Sequence, residues 1–241
     1  AQACRHLSAI GLLLATTAVA RAEENKLGPW KLRVLANYSQ PLAHEGPVFI
    51  PELHSLFFTS NRLKRPDGSQ YVIASLFDTK TSQTTNLGLT DAIPMANGAF
   101  RLHNGSLVIT MQGDFNKPAG LAAYNLVNRK VTILTNGFAD YQFNSPNDVV
   151  QANDQSIWFT DPQYGYEQGF RPKPTIGNWV WRLDPQGNIQ RLMIDGFSKP
   201  NGIAFSRDQQ YVYVTDSGYI AGEGQRNSVL PRTIYRFRVV T

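Results

Sequence analysis

Four oxygen-bearing side chains recur about every fifty residues along this chain, each at the head of an alternating apolar strand. They are Glu45 in Glu45-Gly46-Pro47-Val48-Phe49, Asn97 in Asn97-Gly98-Ala99-Phe100, Asn147 in Asn147-Asp148-Val149-Val150 and Asn201 in Asn201-Gly202-Ile203-Ala204-Phe205. One carboxylate among neutral amide carbonyls is the donor set of a hard cation, and Ca2+ accepts several oxygens in irregular geometry. The lack of His or Cys at these points argues against zinc or copper. Asn-Gly and Asn-Asp are also common turn dipeptides, so each Asn taken alone reads as a turn residue. Equivalence across successive repeats selects Glu45, Asn147 and Asn201 as metal ligands. Asn97 stands beside them as a further contact to the ion's surroundings or to substrate.

These side chains need a scaffold that brings equivalent points of each repeat together. After each anchor a short turn and a second strand recur: Ser55-Leu56-Phe57-Phe58-Thr59, Ser106-Leu107-Val108-Ile109-Thr110, Ser156-Ile157-Trp158-Phe159-Thr160 and Tyr211-Val212-Tyr213-Val214-Thr215. Third strands are predicted over Tyr71–Leu76, Ala122–Leu126, Trp179–Leu183 and Ile234–Val240, and fourth strands over Val131–Leu134 and Ile189–Met193. No long amphipathic helix is legible after residue 25. Four-stranded units at this period are the blades of a β-propeller, whose inner strands face a common channel.

Composition is compatible with this all-β architecture: 42% hydrophobic and 17% charged residues describe a globular chain with a sizeable core. The first 22 residues differ. Arg5 precedes the apolar run Leu7–Val19, and Ala20-Arg21-Ala22 places small residues where a signal peptidase cuts. The expected organisation is therefore a secretory leader over 1–22 and a propeller domain over 23–241. The run is short for a membrane span. Its removal takes away Cys4, the one cysteine, so no disulfide is expected in the secreted chain. The formal charge of +5 is scattered, with Arg62, Lys64 and Arg65 together in a loop, which gives no nucleic-acid face. Asn37 and Asn104 fit the N-glycosylation acceptor pattern.

Other polar residues keep two readings each. Asp148 either orients a ligand from behind or completes the turn. Asp161 and Tyr164 open a Gly-, Pro- and Tyr-rich loop running to Pro174, which either lies over the channel as a substrate pocket or is a long connection without a role. His44 and His103 are candidates for a base or for structural positions. Ser60, Ser145 and Ser217 lack the Gly-x-Ser-x-Gly pattern, which argues against a serine hydrolase.

Glu45–Phe49, Asn144–Val150, Trp158–Gly165 and Lys199–Ser206 together resemble, in order, the gluconolactonase, regucalcin (SMP-30) and lactonohydrolase family, and most nearly its secreted fungal lactonohydrolases. The resemblance runs from about Gly28 onward. It implies a six-bladed propeller with a divalent cation, usually Ca2+, held by Glu45, Asn147 and Asn201, that opens lactone rings to hydroxy acids. It also implies a metal-binding aspartate, the usual water-activating group, on a later blade. About four blades fit the residues after the leader, which places that aspartate beyond Thr241 and leaves an open edge able to self-associate. Two other outcomes are compatible with the sequence: a non-catalytic relative that binds metal or a partner, and an arylesterase or tailoring enzyme on the same scaffold.

Overall fold

The computed structural model describes residues 33–192 and 196–240; the leader expected over 1–22 lies outside them. The first blade begins with β1 (Glu45–Ile50) and β2 (Ser55–Thr59), leaves the sheet through a small hairpin of β3 (Leu63–Lys64) and β4 (Gln70–Tyr71), and returns with β5 (Ala74–Asp78) and β6 (Thr84–Asn86). The second is β7 (Ala96–Arg101), β8 (Leu107–Met111), β9 (Gly120–Tyr124) and β10 (Val131–Thr135). The third is β11 (Val149–Gln151), β12 (Ile157–Asp161), the short helix α1 (Tyr164–Glu167), β13 (Trp179–Leu183) and β14 (Ile189–Arg191). The fourth holds β15 (Pro200–Phe205), β16 (Tyr211–Asp216) and β17 (Thr233–Arg238). Each blade is an antiparallel meander in chain order from its inner strand outward, and neighbouring inner strands lie side by side. The described residues thus form four blades in a propeller arrangement.

The core lies between blades, and strand pleating builds it. In β8, Leu107 and Ile109 pack toward the first blade while Val108 packs toward the third. In β12, Phe159 joins the core shared with the second blade and Trp158 the core shared with the fourth. Successive side chains point to opposite faces, so a strand sandwiched between two neighbours is buried on both faces, and its polar members must find hydrogen-bond partners. Both β8 and β12 are buried along their whole length. By contrast β16 alternates, with Val212 and Val214 buried against the third blade and Tyr211 and Tyr213 half-exposed on the other side. An aromatic cluster of Phe143, Phe159 and Trp181, with ring centroids 5.2 Å apart in edge-to-face contact, fills the interface of the second and third blades.

Most sequence-expected strands are present. The exception is the single strand expected over Tyr71–Leu76, which divides into β4 and β5 because Gln70 and Tyr71 pair with β3 instead of the blade. Part of the fourth strand expected over Ile189–Met193 falls outside the described residues. Among the described residues no helix is long and apolar enough to cross a membrane.

Candidate metal centre

The repeat anchors sit at or just before the start of the inner strands, and in three of the four blades the strand pairing slips beside them. The pairing of β1 with β2 slips between Glu45 and Val48, that of β7 with β8 between Ala96 and Ala99, and that of β15 with β16 between Pro200 and Ile203. Such bulges re-aim side chains at the head of a strand. Gly46 takes a φ of +60°, and a side chain there would meet the Asn97 carbonyl at 2.7 Å, so blade-to-blade approach demands glycine.

In the first three blades a threonine at or near the end of the second strand ties the backbone of the next anchor. Thr59 Oγ1 donates to the Asn97 carbonyl at 3.0 Å, Thr110 Oγ1 to the Asn147 carbonyl at 2.9 Å and Thr160 Oγ1 to the Asn201 carbonyl at 2.6 Å. The Gly98 N–H also donates to the Asn147 carbonyl at 2.7 Å. The backbones of Asn97, Asn147 and Asn201 are thus each tied to the preceding blade, and Glu45 stands opposite Thr59 in the first, while the anchor side chains take no part in these ties. The sequence carried the signal in Thr59, Thr110, Thr160 and Thr215, which read only as strand residues until their partners are known.

The charge in the row is unbalanced. Burial, with the Asp148 carboxylate adding repulsion, pushes the Glu45 carboxyl up to about 7. Burial also raises Asp148 to about 6, against the pull of two backbone donors: Val149 N–H to Oδ1 and Ile203 N–H to Oδ2, both at 2.9 Å. Asp148 thus ties the head of β11 to β15. The nearest basic atom paired with Glu45 is His44 Nε2 at 3.9 Å. Burial, and then the Arg62 charge, depress the His44 pKa, so His44 is a poor counter-charge. Asn97 Oδ1 is buried without a hydrogen-bond partner. Among the described residues no three His, Cys, Asp or Glu gather into a metal cluster, so a cation here must draw on amide oxygens beside Glu45. Two mutually repelling carboxylates and a buried amide oxygen in want of a partner fit a divalent cation.

Asp161 ends β12 directly before the loop that runs to Pro174 and is fully buried. Its Oδ1 accepts the Ser145 N–H at 2.8 Å, and its Oδ2 accepts the Asn144 N–H at 3.0 Å and Trp181 Nε1–H at 3.2 Å. Asp216, at the end of β16, repeats this on the fourth blade, with Lys199 N–H to Oδ1 at 2.9 Å and Ser198 N–H to Oδ2 at 2.8 Å. Each aspartate therefore clamps the segment that delivers an asparagine, Asn147 or Asn201.

The loop after β12 does approach the channel. Helix α1 carries Tyr164, whose hydroxyl lies 3.4 Å from Asn201 Nδ2. Burial raises the Tyr164 pKa, which keeps the phenol neutral. Glu167 on the same turn pairs with buried Lys199 at 3.0 Å and accepts the Gly222 N–H at 2.9 Å. Across the mouth, Arg62 bonds Glu223 at 3.0 Å. His103 is not part of this group. It is exposed in the β7–β8 turn, at the far end of β7 from Asn97, roughly 20 Å away at the rise of an extended strand. The acceptor residues Asn37 and Asn104 are both exposed.

The chain is similar to known proteins. A lactonohydrolase (oryL) of Aspergillus oryzae is 31% identical over 183 residues, covering 73% of this chain and 41% of that protein. A gluconolactonase of Zymomonas mobilis is 36% identical over 93 residues, 38% of this chain and 26% of that protein. The chain thus spans about two fifths or less of the curated relatives it matches. The solved gluconolactonase of Xanthomonas campestris superposes with a TM-score of 0.63 at 27% identity, covering 84% of this chain and 61% of that one. Residues 43–220, which include Glu45, Asn97, Asn147 and Asn201, match the model of the SMP-30/Gluconolactonase/LRE-like region, and the chain belongs to that family.

Proposed function

We propose that this chain is the cation-holding part of a secreted, Ca2+-dependent lactone hydrolase of the six-bladed type, with Glu45, Asn147 and Asn201 as ligands. The observation that carries the reading is the uncompensated pair Glu45 and Asp148 beside the unpartnered Asn97 oxygen. The relatives named lactonohydrolase and gluconolactonase supply the reaction class. A bound divalent cation would supply Lewis acidity toward a lactone carbonyl.

The chain's own residues do the remaining work. Glu45 brings the one negative charge among the ligands, and the two asparagines stay neutral and hold position. Asp148 is engaged by Val149 and Ile203 and serves as a brace for the Asn147 segment. Tyr164 offers a neutral hydroxyl beside Asn201, placed to donate to an oxygen of a bound ring. Ring opening adds water to the carbonyl carbon, breaks its bond to the ring oxygen and leaves a carboxylate and a hydroxyl, so one proton is released near neutral pH.

The test follows that proton. Aldonolactones, aromatic lactones and aryl esters are supplied to the protein with Ca2+ and with chelator, and acid release is recorded. Ca2+-dependent acid release from lactones, lost in Glu45→Gln, is the expected result. Ca2+ binding by calorimetry without any turnover would favour the non-catalytic alternative, and turnover of aryl esters alone would favour an arylesterase. The leader over 1–22 and the acceptors Asn37 and Asn104 extend the proposal to an extracellular glycoprotein. Export from a eukaryotic host with a mass that falls on glycosidase treatment is the expected outcome.

A further inference from the structure

Helix α1 belongs to the third blade, yet one of its faces meets the fourth. Tyr164 and Glu167 stand three residues apart, which on a helix places them on the same face. Lys199 and Asn201 stand two residues apart where the chain enters β15, which in extended backbone places them on the same side. The two pairs mate. Glu167 Oε2 takes Lys199 Nζ at 3.0 Å, and the Tyr164 hydroxyl takes Asn201 Nδ2 at 3.4 Å. Lys199 Nζ also lies 5.8 Å from the centre of the Tyr164 ring.

The hold on Lys199 fixes the helix. Lys199 is 5% exposed, and its Nζ donates as well to the Ile220 carbonyl at 3.4 Å. The Glu167 carboxylate is completed by Gln163 Nε2 and the Gly222 N–H, both at 2.9 Å. A buried ion pair keeps its geometry when its remaining hydrogen-bonding positions are filled in this way. The Tyr164 hydroxyl is thereby set beside one end of the Asn201 amide.

An amide ligand can be presented the wrong way round, because its oxygen attracts a cation and its N–H2 repels one. The main chain does not decide the matter: Thr160 holds the Asn201 carbonyl and Asp216 holds the Lys199 N–H, and neither touches the side-chain amide. The phenol oxygen accepts from Nδ2, which gives the N–H2 a partner and leaves Oδ1 on the other arm of the planar group. A phenol oxygen that accepts this bond still has its own proton to donate.

We infer that Tyr164 is a positioning residue, whose hydroxyl engages Asn201 Nδ2 and so presents Asn201 Oδ1 to the cation. The inference rests on the cation-site reading.

The experiment measures Ca2+ affinity by calorimetry in wild type, Tyr164→Phe, Asn201→Asp and the double variant. It also follows the side-chain 15N–1H signal of Asn201 in the ion-free chain, identified by its loss in Asn201→Asp. Tyr164→Phe keeps the ring and its place beside Lys199 and removes only the hydroxyl. With Asn at 201 it should lower Ca2+ affinity by about tenfold or more, as for other groups that orient a ligand. A carboxylate offers an oxygen whichever way it turns, so with Asp at 201 the same change should cost less than about threefold. The Asn201 signal should shift in Tyr164→Phe. Equal losses in the two backgrounds, or an unchanged affinity in Tyr164→Phe, overturn the inference and leave the cation site standing. A wild-type chain that binds no Ca2+, although its Asn201 signal responds to Tyr164→Phe, overturns the cation reading and the inference with it.

Discussion

Asp161 holds Ser145 by accepting its N–H at 2.8 Å, two residues before the candidate ligand Asn147. The same relation recurs between Asp216 and Lys199, two residues before Asn201. Both carboxylates are buried, and both take their donors from the turn leading into an inner strand. The asparagine side chains can therefore face the channel unencumbered because other groups fix their backbone.

Asp161→Ala should leave the N–H groups of Asn144 and Ser145 and the indole N–H of Trp181 without their acceptor inside the core. Buried donors without partners cost about 1–3 kcal/mol each, so a loss of at least ~3 kcal/mol is expected in urea unfolding. Ca2+ affinity should fall by about tenfold or more, as for other groups that orient a ligand without touching the ion. An unaltered affinity in a folded Asp161→Ala protein would mean that the turn holds Asn147 without the clamp.

The same carboxyl gives a pH signature. Burial raises it to about 7 from an ordinary 3.8, although three N–H donors and the Arg171 charge pull it down. The folded chain then binds more protons than the unfolded chain between about pH 4 and 7. The stability this group contributes is fully present below about pH 4 and is lost as pH rises through about 7. Thermal unfolding of wild type and Asp161→Asn between pH 4 and 8 should show a stability difference that shrinks with rising pH. A flat difference would place the carboxyl in its ionised form throughout.

Gly98 tests the closeness of the inner strands. A methyl group built there would run into the Asn147 carbonyl and lie 2.7 Å from the Asp148 Cα and 2.8 Å from Asp148 Oδ1. Two of these three are backbone atoms, which cannot rotate away. Gly98→Ala should therefore cost ~3 kcal/mol or more, by the mechanism of overpacking. Gly187, with φ of +91° and nothing near its added Cβ, is the control: Gly187→Ala bears only the conformational cost, about 1 kcal/mol. Equal effects at the two positions, read by denaturant midpoint, would refute the close approach.

Periodicity exposed the blades because strand pleating and the fifty-residue repeat are local in sequence. Leu107-Val108-Ile109 and Trp158-Phe159 could be read as sandwiched strands from their unbroken apolar runs. The anchors Glu45, Asn97, Asn147 and Asn201 were legible for the same reason, as one position repeated. Asp161 was not. In Thr160-Asp161-Pro162 it resembles the start of a loop, and only the second Thr-Asp pair at 215–216 hints that it is part of the frame. His103 kept two readings because an exposed turn histidine and a channel histidine look alike in sequence. The contact of Tyr164 with Asn201 was hidden by distance along the chain, with nothing in either local segment to specify the other.

Glu45 is where stability and function oppose each other. Its carboxyl is raised to about 7, first by burial and then by Asp148, so at pH 8 the ion-free fold carries a partly buried negative charge that it would be more stable without. Glu45→Gln keeps the shape and removes that charge. In chelator at pH 8 the variant should melt at a higher temperature than wild type, by a few degrees. Added Ca2+ should reverse the order. At a concentration one hundredfold above its dissociation constant, an ion that binds only the folded state adds about 2.7 kcal/mol. Wild type should receive that gain and the variant little of it. Parallel melting shifts with Ca2+ in both proteins would show that the ion is held without Glu45, and would sink the ligand assignment at its one charged member.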